Sequence, residues 1–294
     1  MNSPRLTPVA RVMNVPVDAV DTEASLRAIG EFVRIGRETD RTFQVTTVNV
    51  NFLINSRKDP ELLRVLQDSD LSLADGAPIL WMSRLSGTPV RERVSGADLV
   101  PAMVERSQTS GWRILLFGSS NGVAELAAAR LAERFPAADV IGITGPSLVQ
   151  AADTSNAVIV HIRSLKPDIL CVAFGNPKQE LWIERFRSTL GVPVLIGVGG
   201  ALDFVAGNTK RAPRSVQRLG LEWVYRTLHE PRRLLRRYAR DAALFGPVFI
   251  GVLLDRCLAS LGRKPFPAPL PPRDILRKRS SQASDGLAEE VFAR

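Results

Sequence analysis

Apolar positions recur along this chain at two periods, and the alternation between them marks out most of its elements. Leu26, Ile29 and Val33 share one face of a helix predicted over Thr22–Arg37. Thr42–Val48 is β-branched and reads as a strand. Asp59-Pro60 opens a helix, because Asp caps and Pro fits the first helical position, and that helix runs to about Asp68. A short strand, Leu71–Ala74, then ends at Asp75-Gly76, and Ser95 caps a helix reaching Ser107 with Gly111 closing it.

From Trp112 onward the alternation is regular. Strands are predicted at Arg113–Phe117, Val140–Thr144, Asp168–Phe174 and Val194–Val198, with helices Gly122–Arg134, Thr154–Leu165 and Lys178–Ser188 between them. Short apolar strands separated by helices imply an α/β fold: a Rossmann-like, mainly parallel sheet with helices on both faces. In such sheets ligands sit beyond the carboxyl ends of the strands, so the loops Gly118–Gly122, Gly175–Gln179 and Gly199–Asp203 become candidates.

The character changes after Asp203. Short basic helices are predicted at Pro213–Leu219, Leu221–Leu228 and Pro231–Phe245, followed by an apolar run, Ala242–Leu254, interrupted by Gly246 and Pro247. A bilayer-spanning helix needs roughly 20 apolar residues, so this interrupted run is not expected to cross. A Pro-rich stretch, Pro265–Pro272, leads into a polar tail expected to be disordered. The division expected is residues 1–210 as the α/β core, 211–262 as a basic helical, membrane-associating appendage and 263–294 as the tail.

Charge sharpens this picture. The 294 residues carry a formal charge of +9, which calls for an anionic partner. Nine arginines fall between Arg211 and Arg240, so the excess is concentrated in the appendage. Arg232, Arg233, Arg236, Arg237 and Arg240 recur at helical spacing among Leu234, Leu235 and Tyr238, a pattern suited to lying in the plane of an anionic membrane surface. Cys171 and Cys257 support neither a disulfide framework nor a zinc site, which suits a reducing cytoplasm. The N-terminal residues Met1–Val17 do not read as a signal peptide.

Candidate chemistry lies at the strand ends. Asp75 faces the crevice and reads either as a general base or as an Asp-Gly turn residue. Thr47 and Asn49 offer neutral hydrogen-bonding groups suited to a sugar, with helix capping the alternative for Asn49. Asn176, Pro177 and Gln179 spell either a capping box or an anion site at a helix N-terminus. Asp203 follows a glycine-rich turn and can meet a ribose hydroxyl. Asp68-Ser69-Asp70 imitates a metal-binding Asp-x-Asp pattern but falls at the wrong end of its strand, and His161 reads as structural. The three-glycine dinucleotide fingerprint is absent, which argues against a nicotinamide enzyme. A basic nucleotide- or nucleic-acid-binding module is the alternative class; aromatic residues are only 6% of the chain, and no recognition motif supports it.

In combination these stretches resemble the WecG/TagA/CpsF glycosyltransferases, glycosyltransferase family 26, over roughly Arg11–Tyr238. The motifs are Thr47-Val48-Asn49, Ala74-Asp75-Gly76, Arg93 through Asp98, Phe174 through Glu180, and Gly197 through Asp203, followed by Ala206–Pro213, Gly220–Arg226 and Glu230–Arg233. The apolar run from Ala242 falls outside this pattern. The resemblance implies an inverting, metal-independent enzyme without a cofactor, moving a hexose or N-acetylhexosamine from a UDP-sugar to a polyprenyl-diphosphate-linked saccharide in cell-surface polysaccharide synthesis. By the same resemblance Asp75 is the base, Thr47, Asn49, Arg93 and Gln179 contact donor and sugar, and Asp203 contacts the nucleotide. The enzyme is then expected in the cytoplasm, peripheral on the inner face of the plasma membrane, where docking swings the arginine-rich segment over the site. Nucleic acid is not an expected partner, and a homo-oligomer is left open.

Overall fold

The computed structural model describes residues 6–120, 122–145, 156–260 and 270–274. Strands β1 (Leu6–Val12) and β2 (Val15–Asp18) form an antiparallel hairpin around Met13-Asn14, whose φ angles are 49° and 69°. Two adjacent left-handed residues match the twist of a tight hairpin turn. No element was expected here. Helix α1 (Thr22–Thr39) begins where the Asp21 carboxylate accepts the Ala24 N–H at 2.7 Å.

The repeating part follows: β3 (Phe43–Val48), α2 (Val50–Ser56), α3 (Pro60–Asp68), β4 (Leu71–Ala74), α4 (Ala77–Leu85) and α5 (Gly96–Ser110). Next come β5 (Arg113–Gly118), α6 (Val123–Arg134), β6 (Asp139–Ile143) and α7 (Asn156–Leu165). Then β7 (Ile169–Ala173), α8 (Lys178–Leu190), β8 (Val194–Gly197) and α9 (Ala201–Val205) complete the core. Elements anticipated from periodicity recur with ends shifted by at most three residues; Thr154, the expected start of α7, lies outside the described residues.

Six strands form one parallel sheet in the order β4-β3-β8-β7-β5-β6. Successive side chains of β5 go to opposite faces. Ile114 and Leu116 join a cluster with α1, α5, α6 and α9, whereas Leu115 and Phe117 pack with Trp182 and Ile183 of α8. Both faces are covered, which is why β7 and β8 are apolar throughout, while β3 and β4 bury the polar Gln44, Thr46, Thr47 and Ser72 among their apolar residues. Cys171 lies buried in β7, where burial pushes its thiol up to about 12. A third cluster joins the hairpin, α2, α3 and α4.

The basic segment forms α10 (Arg214–Arg218), α11 (Glu222–His229) and α12 (Pro231–Ser260). Two expectations are corrected here. Gly246 and Pro247 do not break the apolar run; α12 continues through both. A proline removes one i→i−4 hydrogen bond, and packing on either side holds the helix together: Phe245 is buried, and Phe249 meets Trp81 edge-on at 6.4 Å. Its stretch Leu234–Ser260 is long and apolar enough to cross a membrane by length and composition. The tail is not wholly structureless either, because residues 270–274 form β9, antiparallel to β1. The register shifts between Thr7 and Val9, opposite Pro271 and Pro272. The rest of 263–294 lies outside the described residues.

Candidate active site

The crevice starts where β3 and β8 part. Their pairing runs from Phe43↔Val194 to Val45↔Ile196, and beyond it the Thr47 hydroxyl donates to the Gly197 carbonyl at 3.0 Å. Thr47 is 4% exposed, so its hydroxyl bridges the two strands inside the sheet. Asn49 caps α2: its Oδ1 accepts from the N–H groups of Asn51 (3.0 Å) and Phe52 (3.4 Å). That leaves its Nδ2 free to donate to Asp75 Oδ2 at 3.3 Å. Capping and site readings of Asn49 therefore hold together, one for each end of the amide.

Asp75 extends the β3–β4 ladder by one bond, its N–H donating to Val48 O at 2.8 Å. Gly76 then turns the chain into α4 at φ 107°, a conformation that favours glycine. The carboxylate is left half-buried at the strand tip. Burial raises its pKa above the usual carboxylate range; nearby Arg93 and the Asn49 hydrogen bond oppose the rise, Glu222 adds to it and Arg226 opposes it.

Arg93 joins core to appendage. Its Nη1 donates to Glu222 Oε2 of α11 at 2.5 Å, and its Nη2 donates to Asp98 Oδ2 and Gln217 Oε1, both at 3.2 Å. Asp98 also accepts two bonds from Arg211, at 2.6 and 2.7 Å, and one from the Ser95 hydroxyl at 2.7 Å. Burial raises the Asp98 pKa, but these donors outweigh it and hold the group below the usual range. Ser95 occupies the N-cap position of α5 without capping it through its side chain. The arginine-rich segment is thus already seated on the core, with the Arg226 guanidinium 4.9 Å from the Phe204 ring centroid.

Gln179 lies behind the crevice and is 1% exposed. Its Oε1 accepts the N–H groups of Gly175 (3.0 Å) and Gly199 (2.9 Å), tying the turns after β7 and β8 together, while its Nε2 donates to Glu180 at 2.6 Å. A side chain on Gly197 would place its Cβ 2.5 Å from Gln179 Nε2 and from Glu180 Oε1, which explains the glycine. Of the two readings open for this turn, the capping box is not formed: Pro177 holds the N-cap place of α8, and Asn176 Nδ2 donates to Glu180 at 2.9 Å. Burial pushes the Glu180 carboxyl up to about 7. Asp203, half-buried in α9, accepts from Ser119 Oγ at 3.3 Å and so joins the turns after β5 and β8.

Asp75, Asn49 and Arg93 therefore converge, Asp203 sits with Ser119 further along the same edge, and Thr47 and Gln179 are spent on main chain. Asp70 lies at the opposite, amino edge, where it accepts the Gln44 N–H at 2.8 Å and pairs with Arg41 and Arg187. His161 is exposed on α7. Among the described residues no three His, Cys, Asp or Glu side chains are grouped to hold a metal ion. Sequence reasoning passed over Glu222 and Glu180, and also Asn51 and Asn55, two asparagines one turn apart in a short apolar helix.

A half-buried aspartate and several arginines gathered at the carboxyl edge of a parallel sheet are suited to group-transfer chemistry. The chain belongs to the Glycosyl transferase WecG/TagA/CpsF family, whose model matches residues 10–257, and it is a glycosyltransferase. That match includes the apolar run from Ala242, which lies beyond the shared motifs. Among its relatives is an N-acetylglucosaminyldiphosphoundecaprenol N-acetyl-beta-D-mannosaminyltransferase of Bacillus subtilis (strain 168), 33% identical over 65% of this chain and 73% of the relative. Proteins of the same name from Bacillus spizizenii and Staphylococcus aureus (strain MW2) are each 29% identical over 65% of the chain, covering 73% and 74% of their own lengths.

Proposed function

We propose that the chain transfers a hexose or N-acetylhexosamine, with inversion, from a UDP-sugar to a saccharide carried on a polyprenyl diphosphate in cell-surface polysaccharide synthesis. The observation that carries this is the state of Asp75. It stands at a strand tip in the crevice with one long hydrogen bond, and its pKa is raised. A carboxylate in that state takes a proton readily. Asp75 removes the proton of the acceptor hydroxyl, the oxygen attacks the anomeric carbon, and the bond to UDP breaks on the opposite face. A single displacement needs a single carboxylate.

The charge that develops on UDP is met by Arg93, Arg211 and Arg226 and by main-chain amides of the glycine-rich turns, without a metal. Asp203 and Ser119 receive the nucleotide, and Thr47 and Gln179 hold the turns in place. The relatives' names support a ManNAc-type donor and a lipid-linked N-acetylglucosamine acceptor. The test is transfer from UDP-N-acetylmannosamine to a short-chain lipid diphosphate carrying N-acetylglucosamine, run in EDTA. Wild type should turn over and Asp75→Asn should not; equal rates would remove Asp75 from the mechanism.

The reading includes peripheral attachment to the inner face of the plasma membrane. One face of α12 is applied to the core through Leu234, Asp241 and Phe245, while Leu235, Ile250, Leu253 and Leu254 are exposed on it. Leu228 of α11 is 74% exposed. A helix with one face on protein and another apolar face in solvent suits an interface rather than a span. Sedimentation with anionic vesicles tests this; no binding in low salt would refute it.

A further inference from the structure

Helix α2 carries a row of asparagines that joins the base to the appendage. Asn49, its cap, holds Asp75. Asn51 Nδ2 donates to Asp241 Oδ2 of α12 at 3.3 Å. Asn55 Nδ2 donates to Asn51 Oδ1 at 3.2 Å and to Asn176 Oδ1 at 2.7 Å, while Arg240 Nη2 donates to Asn55 Oδ1 at 3.2 Å. Two consecutive residues of α12 thus grip two asparagines one turn apart on α2.

Asp241 is the unusual member. It is 4% exposed on the face of α12 that buries Leu234 and Phe245. Besides Asn51, its partner among the described residues is its own neighbour Arg240, at 3.1 Å. An apolar residue there would seat the helix at least as well, because removing a charge from water usually costs more than a partial pairing returns. What the charged pair adds is direction. A carboxylate only accepts, so Asn51 must turn its NH2 toward Asp241 and its oxygen toward Asn55. A guanidinium only donates, so the Asn55 oxygen faces Arg240 and its NH2 serves Asn51 and Asn176. One arrangement satisfies the whole row.

We infer that Asp241 and Arg240 are positioning residues for the transfer reaction: by fixing Asn51 and Asn55 they hold α2, and with it the Asn49 amide, against Asp75. This rests on the assignment of Asp75 as the base. Seating of α12 then governs turnover as well as location. The groups facing Asp75 are Asn49 from α2, Arg93 from the segment before α5, and Glu222 and Arg226 from α11. Of these, Asn49 alone lies on the helix that α12 grips.

The test uses the full chain as Asp241→Leu, Asp241→Asn, Arg240→Leu and Asp75→Asn, in the transfer assay above and by NMR of 13C-carboxyl-labelled aspartate. The Asp75 signal is assigned by its loss in Asp75→Asn. Asp241→Leu should lower kcat about tenfold, the scale of a small misplacement, while the donor KM changes less than about twofold. The midpoint of Asp75 should rise by about half a pH unit as its hydrogen bond loosens. Anionic-vesicle binding should be unchanged, and Asp241→Asn, which keeps an acceptor for Asn51, should recover at least half of kcat. An unaltered kcat and midpoint, or a kcat loss without a midpoint shift, would overturn the inference. Arg240→Leu, at a partly exposed position, should shift both readouts the same way and decides the matter where Asp241→Leu does not fold. Full turnover by Asp75→Asn sinks the base assignment itself; an inactive Asp75→Asn beside an indifferent Asp241→Leu sinks only the coupling.

Discussion

Asp70 and Asp75 stand at the two ends of β4, and their surroundings are opposite. Asp70 is buried, accepts the Gln44 N–H and lies within ion-pair distance of Arg41 and Arg187. Asp168 at the amino end of β7 is treated the same way, with Arg37 bidentate at 2.7 Å and the Arg113 N–H at 2.7 Å. Among the described residues, the Asp75 carboxylate has the single Asn49 bond. A carboxylate whose lone pairs are filled by cations and amides contributes stability. One that is buried with few donors holds its proton more tightly and becomes a site for chemistry. On β4 the two kinds fall at opposite ends of one strand.

Exchanging each acid for its amide tests that contrast most severely. Asp75→Asn should lower kcat about 100-fold or more with no fall in melting temperature, since the chain loses an ill-solvated charge. Asp70→Asn should do the reverse, costing about 2 kcal/mol of stability as Arg41 and Arg187 each lose one ion pair and the Gln44 N–H loses a charged acceptor, with kcat within about twofold of wild type. Denaturant melts and initial rates on both variants decide it; if Asp75→Asn proves the less stable of the two, the contrast is wrong.

Glu180 sharpens the comparison through pH. Its folded pKa, about 7 against an ordinary 4.5, means the native state keeps a proton that the unfolded chain gives up between those values. More protons bound to the native state makes stability fall as pH rises across that window. Melting temperatures of wild type should carry this decline between pH 5 and 7, and Glu180→Gln should lose it. An unchanged slope in the variant would place the titration elsewhere. The smallest effect belongs to the surface: Arg236→Ala should weaken anionic-vesicle binding about fivefold, or about 1 kcal/mol, and leave kcat on a soluble acceptor alone.

How much of this was legible in the sequence follows the range of the forces involved. Apolar periodicity is local, so the strands from Thr42 to Val198 and the placement of Asp75 at a tip could be read directly. The hydrogen bonds of Thr47 and Gln179 could not, because each is made with a distant turn: Thr47 meets Gly197 and Gln179 meets Gly199. A polar residue beside a crevice looks the same in sequence whether it faces the ligand or braces the wall. Pro247 misled for a related reason, since helix-breaking rules weigh a lost hydrogen bond but not the packing of Phe245 and Phe249 around it. Asp241 reads in sequence as one acid in a basic helix, and only its burial against α2 gives it meaning.

The Pro-Pro pair in β9 has a further consequence. β1 is hydrogen-bonded on both sides, by β2 and by β9, which leaves β9 as an outer strand of the small sheet. Pro271 and Pro272 have no N–H to offer another chain, and the register shift opposite them interrupts the regular spacing a newcomer would need. The segment therefore works as a selvedge: it finishes the weave, so that copies crowded together on a surface are not stitched to one another through this border.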